Sequence, residues 1–175
     1  MNRYLVALLV FLLLTQYRQT HADEKDILQV CETQLTIKFT IWRFAPVTPE
    51  VAAFAKSIHE DPTITYGDFD GDGRKDVALL IQNGDNPESG YPRRLDSLNI
   101  AICLNTKGGV KLYLIDKPYC GDGITRAPKG QLYYDYDTGK RGTHRLDGVS
   151  AYCFEKAGAT YEFENGAFHQ IVDSD

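Results

Sequence analysis

The stretch ITYGDFDGDGRKDVALLI, residues 64–81, concentrates negative charge between two apolar segments. Ile64 and Tyr66 alternate with polar residues as in a strand, and residues 77–81 form a continuous apolar run typical of a strand buried on both faces. The aspartates between them therefore lie in a loop held by two strands. Because carboxylates this close repel one another, the loop either is an exposed acidic turn in water or binds a positive ion.

The spacing of the aspartates matches what a hard cation needs. Calcium takes about six to eight oxygen ligands, and a short segment must wrap around it to supply them. Positions 1, 3, 5 and 9 of the loop are acidic and position 7 offers a backbone carbonyl, which gives the candidate ligands Asp68, Asp70, Asp72, Asp76 and, at position 7, Arg74. An EF-hand has a bidentate Glu at position 12, where this chain has Leu79, so the loop is not an EF-hand. The incomplete set predicts a structural Ca²⁺ site with an affinity of about 10⁻⁴ to 10⁻³ M.

The pattern D-x-D-x-D-G-x-x-D between strands resembles the calcium loops of FG-GAP or VCBS repeats, which occur in integrin α-subunit propellers and in bacterial surface proteins. The resemblance covers residues 64–81 and implies the same metal ligands, with the Arg74 carbonyl among them. The Phe-Gly and Gly-Ala-Pro signatures are absent and one copy is present, so a propeller and an adhesive function are not implied. The chain also looks like small bacterial envelope proteins that carry a single such loop.

The first 22 residues have the pattern of a secretory signal. Arg3 precedes an apolar run, residues 5–14, and small residues precede the expected cleavage after Ala22. About ten apolar residues are too few for a membrane-spanning helix. We therefore expect a signal peptide over residues 1–22, one mainly-β calcium-binding domain over residues 23–175, and a periplasmic or secreted location without a membrane span.

Charge and cysteine content narrow the class of protein further. The 19 basic residues include Arg3 and Arg18 in the signal segment, which leaves 17 against 24 acidic residues, an unfavourable balance for binding nucleic acid or anionic membranes.

An even number of cysteines in an exported chain predicts two disulfides, with three possible pairings that sequence does not rank. No C-x-x-C motif supports a zinc site instead. The cysteines are Cys31, Cys103, Cys120 and Cys153.

Periodicity predicts the fold class. Helical spacing occurs over residues 24–32 and again after Thr48-Pro49, whereas "LTIKFTIW", residues 35–42, alternates as a strand does. Downstream, alternating segments surround a turn at residues 106–109 and the hairpin signal Asn165-Gly166, and residues 130–136 add one more strand. Residues 83–96 and 116–129 are expected as surface loops. The prediction is a single α+β domain, mainly antiparallel β-sheet with one or two N-terminal helices.

Two weaker groups of candidate residues have ordinary structural explanations. Asp135 and Asp137 precede Gly139 and could form a second ion site, but without further acids a hairpin turn is favoured. His59, His144 and His169 are isolated from one another, and His59 lies where a helix ends, so none is assigned to a site.

No nucleophile or base motif accompanies the aspartates. We therefore expect a non-catalytic calcium-binding module of the cell envelope, with a protein of the envelope as a candidate partner. The loop at residues 83–96 contains Tyr91, Arg93 and Arg94, residue types enriched at binding hot spots, but a solvated loop is favoured over a contact surface. An inhibitor or immunity-type protein of the periplasm is the alternative, and a small secreted hydrolase is a further one.

Overall fold

The computed structural model describes residues 26–83, 97–154 and 157–174. The expected signal peptide, residues 1–22, and the loop residues Tyr91, Arg93 and Arg94 lie outside these ranges. Within them, no helix is long and apolar enough to cross a membrane.

The described residues form two helices and eleven strands. Helix α1 spans residues 26–38 and helix α2 spans Pro49–Ser57. The strands are β1 Trp42–Phe44, β2 Ile64–Gly67, β3 Asp76–Asn83, β4 Leu98–Thr106, β5 Gly109–Asp116, β6 Gly123–Ala127, β7 Leu132–Asp135, β8 Lys140–Thr143, β9 Gly148–Cys153, β10 Ala157–Glu164 and β11 Ala167–Ser174.

The strands pair antiparallel in two main sheets and one small hairpin. The first sheet has the order β1-β3-β4-β5, with β2 also paired to β3. The second sheet has the order β11-β10-β9-β6, and β7 pairs with β8 alone. This architecture confirms the predicted α+β class, mainly antiparallel with its helices near the N-terminus.

Strand β3 is the centre of the packing because both of its faces are buried. Ala78 and Leu80 belong to the core between the two sheets, together with Ile124 and Val149 of the second sheet. The alternate residues belong to a second core, under helix α1, whose members include Ile27, Cys31, Leu35, Val77, Leu79, Ile81 and Cys103. Strand β3 is covered by helix α1 on one side and by the second sheet on the other. This layering explains why residues 77–81, after the aspartates, form a continuous apolar run.

The strand predicted over residues 35–42 is wrong for most of its length. Helix α1 continues to residue 38, and only Trp42 belongs to a strand, β1. Ile27, Cys31 and Leu35 recur every four residues and are buried, whereas Ile37, which the alternating pattern placed beside Leu35, is 81% exposed. Burial of one helical face against the first sheet therefore overrides the local strand propensity of this segment.

Two disulfides form, as predicted, and the structure decides between the three pairings. Cys31 of α1 is joined to Cys103 of β4, and Cys120 is joined to Cys153 at the end of β9. No cysteine is free among these four, which are all within the described residues. Such bonds are typical of proteins that fold in an oxidising compartment.

The C-terminal half of the chain contains both a confirmed turn and two strands, β6 and β8, that the sequence did not predict. Asn165 and Gly166 connect β10 to β11 with φ of 53° and 88°, the left-handed conformations that this hairpin turn requires. Strand β6 lies inside residues 116–129, which were expected as a loop, because it pairs with β9. Strand β8 was also missed, and its short polar sequence carries no alternating signal.

Helix α2 begins and ends with recognisable caps. Thr48 accepts a hydrogen bond from the Val51 amide, as its position before Pro49 predicts. At the other end the amides of His59 and Glu60 donate back into the last turn, to the carbonyls of Lys56 and Ala55, which is a Schellman motif. His59 occupies the left-handed position of that motif with φ of 58°, where glycine is usual.

We expect His59→Gly to stabilise the protein by about 0.5–1 kcal/mol, because glycine adopts the left-handed conformation without a Cβ penalty. Thermal melts of His59→Gly and the matched variant His59→Ala test this. The alanine variant keeps the Cβ and should show no gain. Equal melting temperatures for the two variants would mean that the backbone conformation of His59 carries no cost.

Candidate metal centre

The aspartate loop is closed by the ends of β2 and β3. Gly67 pairs with Asp76 in the antiparallel register, so the two ends of the loop lie side by side. Asp76 is therefore the first residue of β3 as well as the last acid of the loop. Strand pairing positions this carboxylate without any contribution from an ion.

Phe69 anchors the loop from within. Its ring is fully buried and belongs to the core between the two sheets. A Cβ at Gly67 would come within 2.5 Å of that ring, which explains a residue without a side chain at this position. Since Phe69 lies between Asp68 and Asp70, burial of its ring positions the backbone that carries both carboxylates.

The rest of the loop turns through glycines and side-chain bonds to the backbone. Gly71 and Gly73 have φ of 77° and 82°. The amide of Gly73 donates to Asp68 Oδ2 at 3.0 Å, and the amide of Asp72 donates to Asp70 Oδ1 at 3.1 Å. These bonds keep the carboxylates of Asp68 and Asp70 on the inner side of the turn.

Three of the four aspartates converge. Asp68, Asp70 and Asp76 each offer a carboxylate oxygen, and these oxygens all lie within 4.8 Å of one another. Oxygens that share one calcium ion at about 2.4 Å can be no more than about 4.8 Å apart, so the spacing fits a common ion. Among the described residues no other group of three acidic, histidine or cysteine side chains meets this condition.

Asp72 and Arg74 lie differently from the other predicted ligands. The Arg74 guanidinium pairs with Asp72 Oδ2 at 3.0 Å, and the Arg74 amide donates to Asp72 Oδ1 at 2.9 Å. Both oxygens of Asp72 are thus engaged by its neighbour, and Asp72 is not part of the converging group.

Asp76 is the most unusual acid of the group. It is fully buried, and its two oxygens accept hydrogen bonds from the amides of Phe69 at 2.8 Å and Asn105 at 2.7 Å. Burial raises the pKa of Asp76 to about 7, and the nearby charges of Asp70 and Asp68 act in the same direction. Partial burial also raises the pKa of Asp70. Both shifts disfavour the charged carboxylates, so a cation placed between them would stabilise the charged forms.

One carboxylate oxygen of Asp68 has no partner within the described part of the chain. Its Oδ2 accepts from Gly73, but its Oδ1 is shielded from solvent and makes no hydrogen bond. Buried polar atoms are nearly always satisfied by protein, water or an ion. An unpaired anionic oxygen beside two other carboxylates fits a cation better than any neutral group.

The β8–β9 connection contacts this loop, which the sequence did not predict. Asp147 Oδ2 accepts a hydrogen bond from the Asp68 amide at 3.1 Å. A Cβ at Gly71 would lie 2.6 Å from Leu146 Cδ2, so the leucine packs directly on the glycine. Asp68 and Asp147 are 79 residues apart, and no local pattern marks such a pair.

His144 begins the same connection and is buried rather than exposed. Its side chain is 1% exposed, and Nδ1 lies 3.1 Å from Glu162 Oε2 of β10. The Tyr133 ring stacks against the imidazole with centroids 4.8 Å apart. His144 therefore helps to hold the connection on the second sheet.

Asp135 and Asp137 form part of a turn. The Asp137 amide donates to Asp135 Oδ1 at 3.1 Å, and the Thr138 hydroxyl donates to Asp135 Oδ2. These bonds account for Asp135 in the β7–β8 hairpin, and no third acid joins the pair among the described residues.

No protein-family model matches the chain, and no significant match was found among curated proteins or solved structures.

Proposed function

We propose that the protein is a calcium-binding module of the cell envelope, periplasmic or secreted, in which residues 68–76 bind a structural Ca²⁺ ion. The observation that carries this proposal is the convergence of Asp68, Asp70 and Asp76, one of which, Asp68, also has an unpaired oxygen shielded from solvent. The FG-GAP or VCBS resemblance supports it, and implies Asp72 and the Arg74 carbonyl as further ligands.

The donor set favours calcium over other common ions. Zinc prefers nitrogen and sulfur ligands, and the described group contains oxygen alone. Magnesium demands near-ideal octahedral geometry and usually keeps several waters, whereas calcium accepts irregular sets of carboxylates and carbonyls. Several carboxylate oxygens of this loop already accept hydrogen bonds from backbone amides. Calcium, which tolerates irregular coordination, therefore fits the loop better than magnesium.

A structural role for the ion follows from how the ligands are engaged. Asp76 is fully buried and bonded through both oxygens to backbone amides, so an ion bound there would be shielded on that side from any substrate. Bound calcium would offset the repulsion among three carboxylates and tie the end of β2 to the start of β3. We therefore favour a binding module over the secreted hydrolase.

Calcium should raise the melting temperature of the protein and chelator should lower it. At about a hundred times the dissociation constant the linkage contributes about 2.7 kcal/mol, or about 5–10 °C for a domain of this size. Asp70→Asn should shrink the difference, because it removes one charged ligand while preserving shape. Differential scanning calorimetry with and without calcium measures the effect.

Asp135→Asn is the matched control, since it removes the same charge from a turn outside the proposed site. Its calcium-dependent shift should equal that of the unchanged protein. Two results together would show that the loop is a solvated turn. Isothermal titration calorimetry would give no heat of binding up to several millimolar calcium, and chelator would not change the melting temperature.

A further inference from the structure

We infer that Asp147 is a positioning residue of the proposed calcium site, so that calcium affinity depends on the β8–β9 connection docking against the loop. The inference rests on the proposed function. Asp147 is outside the D-x-D-x-D-G-x-x-D pattern and belongs to the part of the chain that leads into the second sheet.

The Asp147 carboxylate bridges two segments. Its Oδ2 accepts from the Asp68 amide at 3.1 Å, and its Oδ1 accepts from the Lys129 amide at 2.9 Å, in the connection between β6 and β7. The side chain is 15% exposed and also lies 3.5 Å from the Arg126 guanidinium. With both oxygens engaged, Asp147 acts on the loop through the peptide of Asp68.

That peptide carries the first proposed ligand. The hydrogen bond to the Asp68 amide restrains the backbone from which the Asp68 carboxylate reaches Asp70 and Asp76. The unpaired Oδ1 belongs to this same residue. Asp147 thus restrains the backbone of the residue that both joins the converging group and has an unpaired oxygen.

Leu146 supports the next part of the loop. It packs on Gly71, whose left-handed backbone turns the chain between Asp70 and Asp72. Adjacent residues of the β8–β9 connection therefore contact the loop twice, by a hydrogen bond at Asp68 and by apolar packing at Gly71.

The connection itself is held by hydrogen bonds to Glu162 and Gln131. Glu162 is within hydrogen-bond distance of the His144 ring through Oε2 and accepts the Arg145 amide at 3.1 Å through Oε1. The His144 amide donates to the Gln131 carbonyl at 3.0 Å. A preorganised support lowers the ordering cost of ion binding, so loss of the support should appear as weaker affinity.

Calcium titration of Asp147→Asn tests the inference. The asparagine keeps the size of the side chain but replaces one acceptor oxygen with an amide group, which cannot accept from both backbone amides. Loss of one such bond predicts a dissociation constant about fivefold to tenfold higher by isothermal titration calorimetry. Leu146→Ala, which removes the packing on Gly71, should weaken binding in the same direction.

Asp137→Asn is the charge-matched control, because Asp137 is exposed in the β7–β8 turn. Its calcium affinity should equal that of the unchanged protein. A purely structural Asp147 would lower the melting temperature equally with and without calcium, leave the dissociation constant unchanged, and overturn the inference. Absence of calcium binding by the unchanged protein would instead overturn the proposed function on which the inference rests.

Discussion

Phe69→Ala is expected to destabilise the protein by about 3–5 kcal/mol, since it removes a fully buried ring from the core between the two sheets. Phe69 lies between the proposed ligands Asp68 and Asp70 in the sequence, so calcium affinity should fall as well. Urea unfolding gives the free energy of unfolding in chelator, and titration of the folded variant gives the affinity.

Phe54→Ala is a suitable comparison, because Phe54 on helix α2 is 43% exposed. Its loss should cost markedly less than that of Phe69. If the two variants unfold at the same urea concentration, the Phe69 ring does not anchor the loop. Phe69→Leu should retain much of the stability, because it keeps an apolar side chain in the same space.

Removing the Cys31–Cys103 disulfide should cost about 4 kcal/mol, because the bond closes a long loop and restricts the unfolded chain. Both sulfur atoms are fully buried between α1 and β4, so the bond also holds the helix on the first sheet. The double variant Cys31→Ala/Cys103→Ala, unfolded in urea without reductant, measures this cost.

The corresponding Cys120→Ala/Cys153→Ala variant provides the comparison. That bond spans a sequence separation of 33 against 72, so its removal should cost slightly less in chain entropy. A Cys31→Ala/Cys103→Ala variant as stable as the unchanged protein would contradict the expected role of this bond.

Features that depend on neighbouring residues could be predicted from the sequence. The left-handed turn at Asn165-Gly166 and the cap at Thr48 follow from the conformations and donors of residues within one turn. The burial of β3 on both faces follows from its continuous apolar run. The acidic loop could be placed between two strands for the same reason, since the alternating and apolar segments flank it directly.

The sequence by itself thus determined the α+β class, the central strand and an acidic loop with the spacing of a cation site. Only the tertiary structure decided the length of α1, the pairing of the cysteines and the convergence of three aspartates without Asp72. It also brought Leu146 and Asp147 to the loop. Burial of one helical face can override an alternating strand pattern, as it does in α1. The contacts Cys31–Cys103 and Asp68–Asp147 join residues 72 and 79 positions apart. Such contacts depend on how the helix and sheets pack, and they leave no periodic pattern in the sequence.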